Sequence, residues 1–181
     1  MESLNFEFLR PEYVALADLG AYAETYAHSD PSSAGVKLRA FAELLTGAIY
    51  EKFKLQRPPE DEFVKLLTAP VFKSAVPAAI LNPLHAMRKE GNQAAHGSPL
   101  SPETALYLLE QAFKLAQWWS VRALAADPTK LPTFREPLKP TQAAAAKPSD
   151  EEKAKLAARE KELQEKVQAL DAAKKFDDDL H

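Results

Sequence analysis

"SSAGVKLRAFAELLTGAIYEKF", residues 32–53, places Leu38, Phe41, Leu45 and Ile49 at steps of three and four, with Ala42 beside them. That spacing puts one apolar stripe on one face of an α-helix, and no alternation of the kind a strand needs runs through it. Just upstream, Asp30 followed by Pro31 reads as an N-cap and first-turn pair. This helix is the strongest structural signal in the chain.

The same periodicity extends outward in both directions. On the N-terminal side, "RPEYVALADLGAYAETYAHSD" (10–30) carries Leu16, Leu19, Ala23 and Tyr26 on one face, and Pro11 suits a first helical turn. On the C-terminal side, "RPPEDEFVKLLTAP" (57–70) reads as a short helix with Phe63, Leu66 and Leu67 apolar and acids in its first turn. "VPAAILNPLHAMRKEGNQAAHG" (76–97) is a fourth helix. Pro83 fits it best in an opening turn, and Gly97 is placed to end it. "SPETALYLLEQAFKLAQWWSVRALAAD" (101–127) opens with Ser101 as cap and Pro102 behind it, then runs through Leu106, Leu109, Phe113, Ala116 and Trp119 or Ser120 as a fifth. Of the adjacent pair Trp118 and Trp119, one is expected in the core and the other against a later aromatic, Phe134.

After Asp127 the pattern stops. Residues 127–150 hold five prolines and no usable period, so 128–148 reads as a linker or a strap laid on the domain. From 149 a charged helix follows, capped by Ser149 or Asp150. Its Leu156, Leu163, Val167 and Leu170 approach a heptad seam interrupted by Glu160 and Lys174. The expectation is therefore an all-α chain: a bundle of about five helices over 1–127, a Pro-rich linker or strap over 128–148, and a charged connecting helix over 149–181, with coiled-coil pairing to a second copy as the alternative to a solvated single helix. The ending "FDDDLH" shows no terminating pattern, and the chain reads as part of something longer.

Composition removes several function classes. Cysteine is absent, which excludes disulfides, thiolate metal sites and a Cys nucleophile. The first residues lack a basic-then-apolar export signal, and no apolar run reaches the ~20 residues of a membrane span, so the expected compartment is the cytoplasm. Residues 150–181 contain ten acids and seven bases, which accounts for the net charge of −3, while residues 1–149 balance at sixteen of each. A neutral body is not the footprint of an autonomous nucleic-acid binder.

The functional question concentrates in "RKEGNQAAHG", residues 88–97. Arg88, Asn92 and His96 recur every fourth residue on one helical face. A guanidinium, an amide and an imidazole in line would suit metal-free cleavage of RNA. Equally, Gly91, Ala94 and Ala95 would let another helix approach closely, with Asn92 bridging a buried carbonyl and His96 favoured in the last turn by the helix dipole. Arg39 and Glu43, four apart, read as an ion pair within one helix. Lys37, Arg39, Arg88 and Lys89 are the candidate contacts to a phosphate or to a partner's acids. His85 and His96 stand three turns apart without paired carboxylates, and His28 and His181 show no partners, so no metal site is expected.

Two resemblances follow from these residues. An Asn, three residues and a His near the end of a late bundle helix is similar to the HEPN (higher eukaryotes and prokaryotes nucleotide-binding) superfamily. Its RNases carry Arg, four to six residues, then His. Here Gly91 stands where that Arg would precede Asn92, and seven residues separate Arg88 from His96. A broader likeness covers nearly the whole chain. "NFEFLRPEY" (5–13), "DPSSAGVKLRAFAELL" (30–45), "LHAMRKEGNQAAHG" (84–97), "KLAQWWSVRAL" (114–124) and "PTFREP" (132–137) occur in the order seen at the start of the R subunit of type I restriction–modification enzymes. The chain resembles that subunit's DUF4145-type, HEPN-like helical module with the helix leading towards the nuclease.

The resemblance implies a non-catalytic docking module. The complete subunit would use ATP and Mg to translocate and cut DNA in the restriction of foreign DNA. This segment shows neither a phosphate-binding loop nor a nuclease motif, and needs no cofactor. Its implied partners are the methyltransferase and specificity subunits, with DNA held by the whole assembly, and Gly91, Asn92 and His96 would be structural. The alternatives are a HEPN-like RNase using Arg88, Asn92 and His96, or a small adaptor whose last helix self-associates.

Overall fold

A computed structural model describes residues 1–140 and 150–178, the side chains of Asp150, Glu152 and residues beyond 168 excepted. Among these residues the chain is all-helical: α1 (Val14–Tyr26), α2 (Pro31–Lys52), α3 (Phe63–Thr68), α4 (Pro70–Ala75), α5 (Ala78–Ala95), α6 (Pro102–Leu124) and α7 (Asp150–Asp178), with two short 3-10 turns. None of these helices is long and apolar enough to cross a membrane. The chain divides into two units, Met1–Lys139 and Pro140–His181.

In the first unit α2 is the central rod, packed most extensively on α5 and then on α1 and α6. Its stripe behaves as the spacing requires, since Leu38, Phe41, Ala42, Leu45 and Ile49 are all fully buried. The Asp30 carboxylate accepts the Ser33 N–H at 3.1 Å, closing the first turn behind Pro31. At α6 the Ser101 hydroxyl does the same for the Thr104 N–H. Gly97, at φ +89°, ends α5: its N–H reaches the Ala94 carbonyl at 3.1 Å while Ser98 N–H reaches Gln93 at 2.9 Å. This pair of bonds satisfies carbonyls that a helix end leaves open.

Four local expectations need correction. Pro11 does not open α1, which begins at Val14; a 3-10 turn over Glu7–Leu9 and the Tyr13 N–H bond to Leu9 O occupy that stretch instead. The acids of the third segment precede α3, whose first turn contains none, because Phe63 already starts the helix. Pro83 lies inside α5, six residues in, where its missing N–H removes one helical bond that packing against α2 offsets. An extra helix, α4, forms behind Pro70, and Phe72 from it stacks on Tyr50 at 5.1 Å. The Tyr50 hydroxyl donates to the Leu66 carbonyl at 2.6 Å, tying α3 to α2.

The N-terminal segment is locked onto the bundle by one carboxylate. Glu24 of α1 accepts the backbone N–H groups of Leu4 and Asn5, each at 2.8 Å, and the Ser3 hydroxyl. That seat drives Phe6 into the core against Phe41 (5.5 Å) and Phe113 (6.2 Å). Gly20 makes the room: a Cβ there would lie 2.4 Å from the Phe6 ring. Glu7 is held to about 2 by Arg10, chiefly through their hydrogen bonds. Its proton binds more readily in the unfolded chain, with its ordinary value of 4.5, so this stabilisation is complete above pH 4.5 and disappears as pH falls towards 2. With Glu7 37 % exposed, solvent screens much of it. Urea unfolding at stepped pH is expected to show stability falling across that window, and a Glu7→Gln variant to fall less.

The strap lies on this unit as far as residue 139. Asn5 and Arg135 exchange two side chain–backbone bonds at 2.8 Å, Gln117 donates to the Pro132 carbonyl, and His28 Nε2 meets the Pro137 carbonyl at 2.7 Å. His28 therefore has a partner after all. Phe134 packs on Phe113 (5.6 Å) and not on either tryptophan. Trp119 fills the core, and Trp118 stands edge-on to Phe53. The linker stretch 141–149, with the proposed cap Ser149, lies outside the described residues, as do the side chains of Leu170 and Lys174 and all of His181.

In the second unit α7 carries charge on every side. Lys155–Glu151 (3.3 Å) and Lys166–Glu162 (2.8 Å) pair one turn apart, while Val167 is 44 % exposed. Polar all round and studded with such pairs, it is a helix supported by its own surface charges.

Candidate functional site

α5 and α2 cross closely because two glycines meet there. A Cβ added to Gly91 would lie 2.4 Å from Arg39 Cβ and 2.8 Å from the Gly35 carbonyl oxygen; one on Gly35 would approach Leu100 at 2.9 Å. The backbones are near enough that α2 presents Arg39 beside Gly91, which lies between Arg88 and Asn92 on α5. The start of α3 closes a third side. The result is a cleft of about 340 Å³, walled by Arg39, Arg88 and Asn92, with Phe63 and Val64 at its α3 side and Glu43, Asp61 and Glu62 around it.

The cleft sets two arginines among three acids, and only part of this charge is paired within the chain. Arg39 lies 3.4 Å from Glu43, as the four-residue spacing predicts, and its guanidinium covers the buried Phe63 ring at 6.0 Å. Asp61 is held by Arg57 at 2.7 Å. Arg88 has no hydrogen bond or ion pair among the described residues, and the Nε atoms of both Arg39 and Arg88 are buried without a partner. A desolvated N–H left unbonded costs on the order of 1–3 kcal/mol, so each such group asks for an explanation. Next to Arg88, burial first, then the charges of Arg88 and Lys73, hold the His85 imidazole below its ordinary value.

Of the residues singled out in the sequence, the fold brings Arg39, Glu43, Arg88 and Asn92 together around the cleft, with Gly91 packed beside Arg39, and leaves Lys37, Lys89 and His96 out of the lining. His96 is the C-terminal cap of α5, its backbone N–H bonded to Asn92 O at 3.0 Å, and its ring is exposed and does not line the cleft. It stands eight helical steps beyond Arg88, about 12 Å along the axis. Asn92 is half-buried, and its amide makes no bond to a buried carbonyl among the described residues, contrary to the bridging role read from the sequence. Lys37 lies over the Tyr22 ring at 5.6 Å, and Lys89 is exposed away from the cleft lining. Among the described residues no three acidic or imidazole side chains gather as metal ligands would.

Sequence reasoning found Glu43 beside Arg39 but missed the other two acids of this site. Asp61 and Glu62 were legible only as first-turn charges, and nothing in their spacing said that they would face Arg88. Compared with known proteins, the chain matches no protein family, no curated protein and no solved structure.

Proposed function

We propose that this chain is a non-catalytic docking module of the kind that opens the R subunit of type I restriction enzymes, seating a motor–nuclease polypeptide on its methyltransferase and specificity subunits. The ATP and Mg chemistry of DNA translocation and cleavage would belong to the rest of such a polypeptide, and DNA would be met through the whole assembly in the cytoplasm. The observation that carries the reading is that the His96 ring is exposed outside the cleft lined by Arg88 and Asn92. Gly91 lies at the helix crossing, as a packing residue should, while the one imidazole of the motif points to solvent beyond the cleft. A nuclease acting by acid–base transfer needs its imidazole within hydrogen-bond reach of the group it serves.

The test has two arms. Purified chain is expected to co-elute with a type I methyltransferase–specificity complex on size exclusion. It is also expected to leave labelled single-stranded RNA intact, with His96→Ala and wild type indistinguishable. RNA cleavage by the wild type that His96→Ala abolishes, with the variant still folded, would reverse the conclusion in favour of a HEPN-like RNase.

A further inference from the structure

We infer that the cleft between α2, α5 and the start of α3 is an acceptor for a single Asp or Glu side chain of a partner protein, carried on a segment that also bears basic residues. The inference deepens the docking reading and rests on it. Its starting point is Arg88, which lines an open cleft, has no polar partner among the described residues, and keeps a buried Nε–H unbonded. Arg39 lines the same cleft, and its Nε–H is likewise buried and unbonded. These buried Nε–H groups are closed to a ligand from outside, but the two terminal nitrogens of a guanidinium form a second, end-on fork that a carboxylate fills with two oxygens. Asn92 supplies an amide that can accept or donate beside it.

The surroundings decide what kind of anion fits. Glu43, Asp61 and Glu62 stand around the two arginines, so the cleft as a whole is not positive. A nucleic-acid strand would bring a row of phosphates past those carboxylates, and like charges at such range repel. One carboxylate reaching Arg88, with a lysine or arginine on the same segment meeting Glu62, satisfies both signs at once. Glu62 is exposed at the start of α3, where it caps nothing. Charge complementarity therefore favours a mixed-charge protein segment over a polyanion.

The probes are a capped helical peptide alternating Glu and Lys, the same peptide with Gln for Glu, and a single-stranded oligonucleotide. Each is titrated into the ¹⁵N-labelled chain while the arginine Nε–Hε resonances are followed. The Glu/Lys peptide is expected to shift the Arg88 and Arg39 signals, and the Gln peptide and the oligonucleotide to leave them in place. Arg88→Gln should weaken peptide binding about tenfold, the loss of one bidentate charged pair. Glu62→Lys, a surface change that leaves the fold alone, should weaken the peptide and admit the oligonucleotide. Shifts caused by the oligonucleotide in the wild type, or by none of the three, would overturn the inference. Co-elution with the methyltransferase–specificity complex that survives Arg88→Gln undiminished would also overturn it while leaving the docking reading intact. Loss of all co-elution beside intact peptide shifts would do the reverse.

Discussion

A Glu24→Ala variant is expected to lose on the order of 3 kcal/mol of stability in urea unfolding, the larger of the two effects anticipated here. Its carboxylate is 9 % exposed and accepts from Ser3 Oγ and from the Leu4 and Asn5 N–H groups. Alanine leaves the hydroxyl of the buried Ser3 and the Leu4 N–H without their acceptor and the Asn5 N–H with only its longer bond to Ser3 Oγ at 3.2 Å, and unpaired buried donors cost more than the net worth of the bonds they made. The damage should spread, because this seat holds Phe6 in the aromatic cluster and Asn5 on the strap at Arg135. Amide hydrogen exchange is expected to rise across residues 3–9 and 132–137 together, while α5 keeps its protection. Exchange confined to residues 3–5, or a loss well below 1 kcal/mol, would mean that the strap and the N-terminal segment are held independently.

Gly91→Ala tests the helix crossing, with an expected loss of about 1–3 kcal/mol from overpacking. Two terms oppose one another. Alanine favours a helix interior over glycine by about 1 kcal/mol, which would stabilise α5. Against it, the new methyl would sit 2.4 Å from Arg39 Cβ and 2.8 Å from the Gly35 carbonyl oxygen, positions fixed by backbone and not by flexible side-chain ends. α2 and α5 must move apart, and they share the most extensive packing in the domain. Sterics therefore win, and Gly91→Val should be worse still. A neutral or stabilising Gly91→Ala in thermal and urea unfolding would show that the helices are not pressed together at this point. Because Arg39 and Arg88 flank the glycine, the same variant is expected to weaken the Glu/Lys peptide as well.

The fold was legible where periodicity and capping chemistry agreed. The α2 stripe, the Asp30–Pro31 and Ser101–Pro102 openings and the Gly97 stop each follow from neighbours within four residues of one another. Local rules misjudged Pro11 and Pro83 because each depends on what packs against it: the N-terminal segment forms its own turn, and α5 tolerates a missing bond while held on α2. The candidate site divides in the same way. Arg88 and Asn92 were visible as a four-residue step, and Arg39 with Glu43 as another. That these two steps, one on each helix, enclose a single cleft with Asp61 and Glu62 could not be read from either.

By itself the amino-acid order determined an all-helical chain with a proline-rich strap and a separate charged helix, since helix formation and its caps are settled over three to five residues. The tertiary structure alone decided that Gly91 is a contact point, that Glu24 anchors the N-terminus, and that Arg88 and Asn92 share a cleft which His96 does not enter. Those outcomes depend on how far apart two helix axes lie and where a third begins. They are set by the packing of residues well separated along the chain, Gly35 on Gly91 above all, which no local pattern encodes.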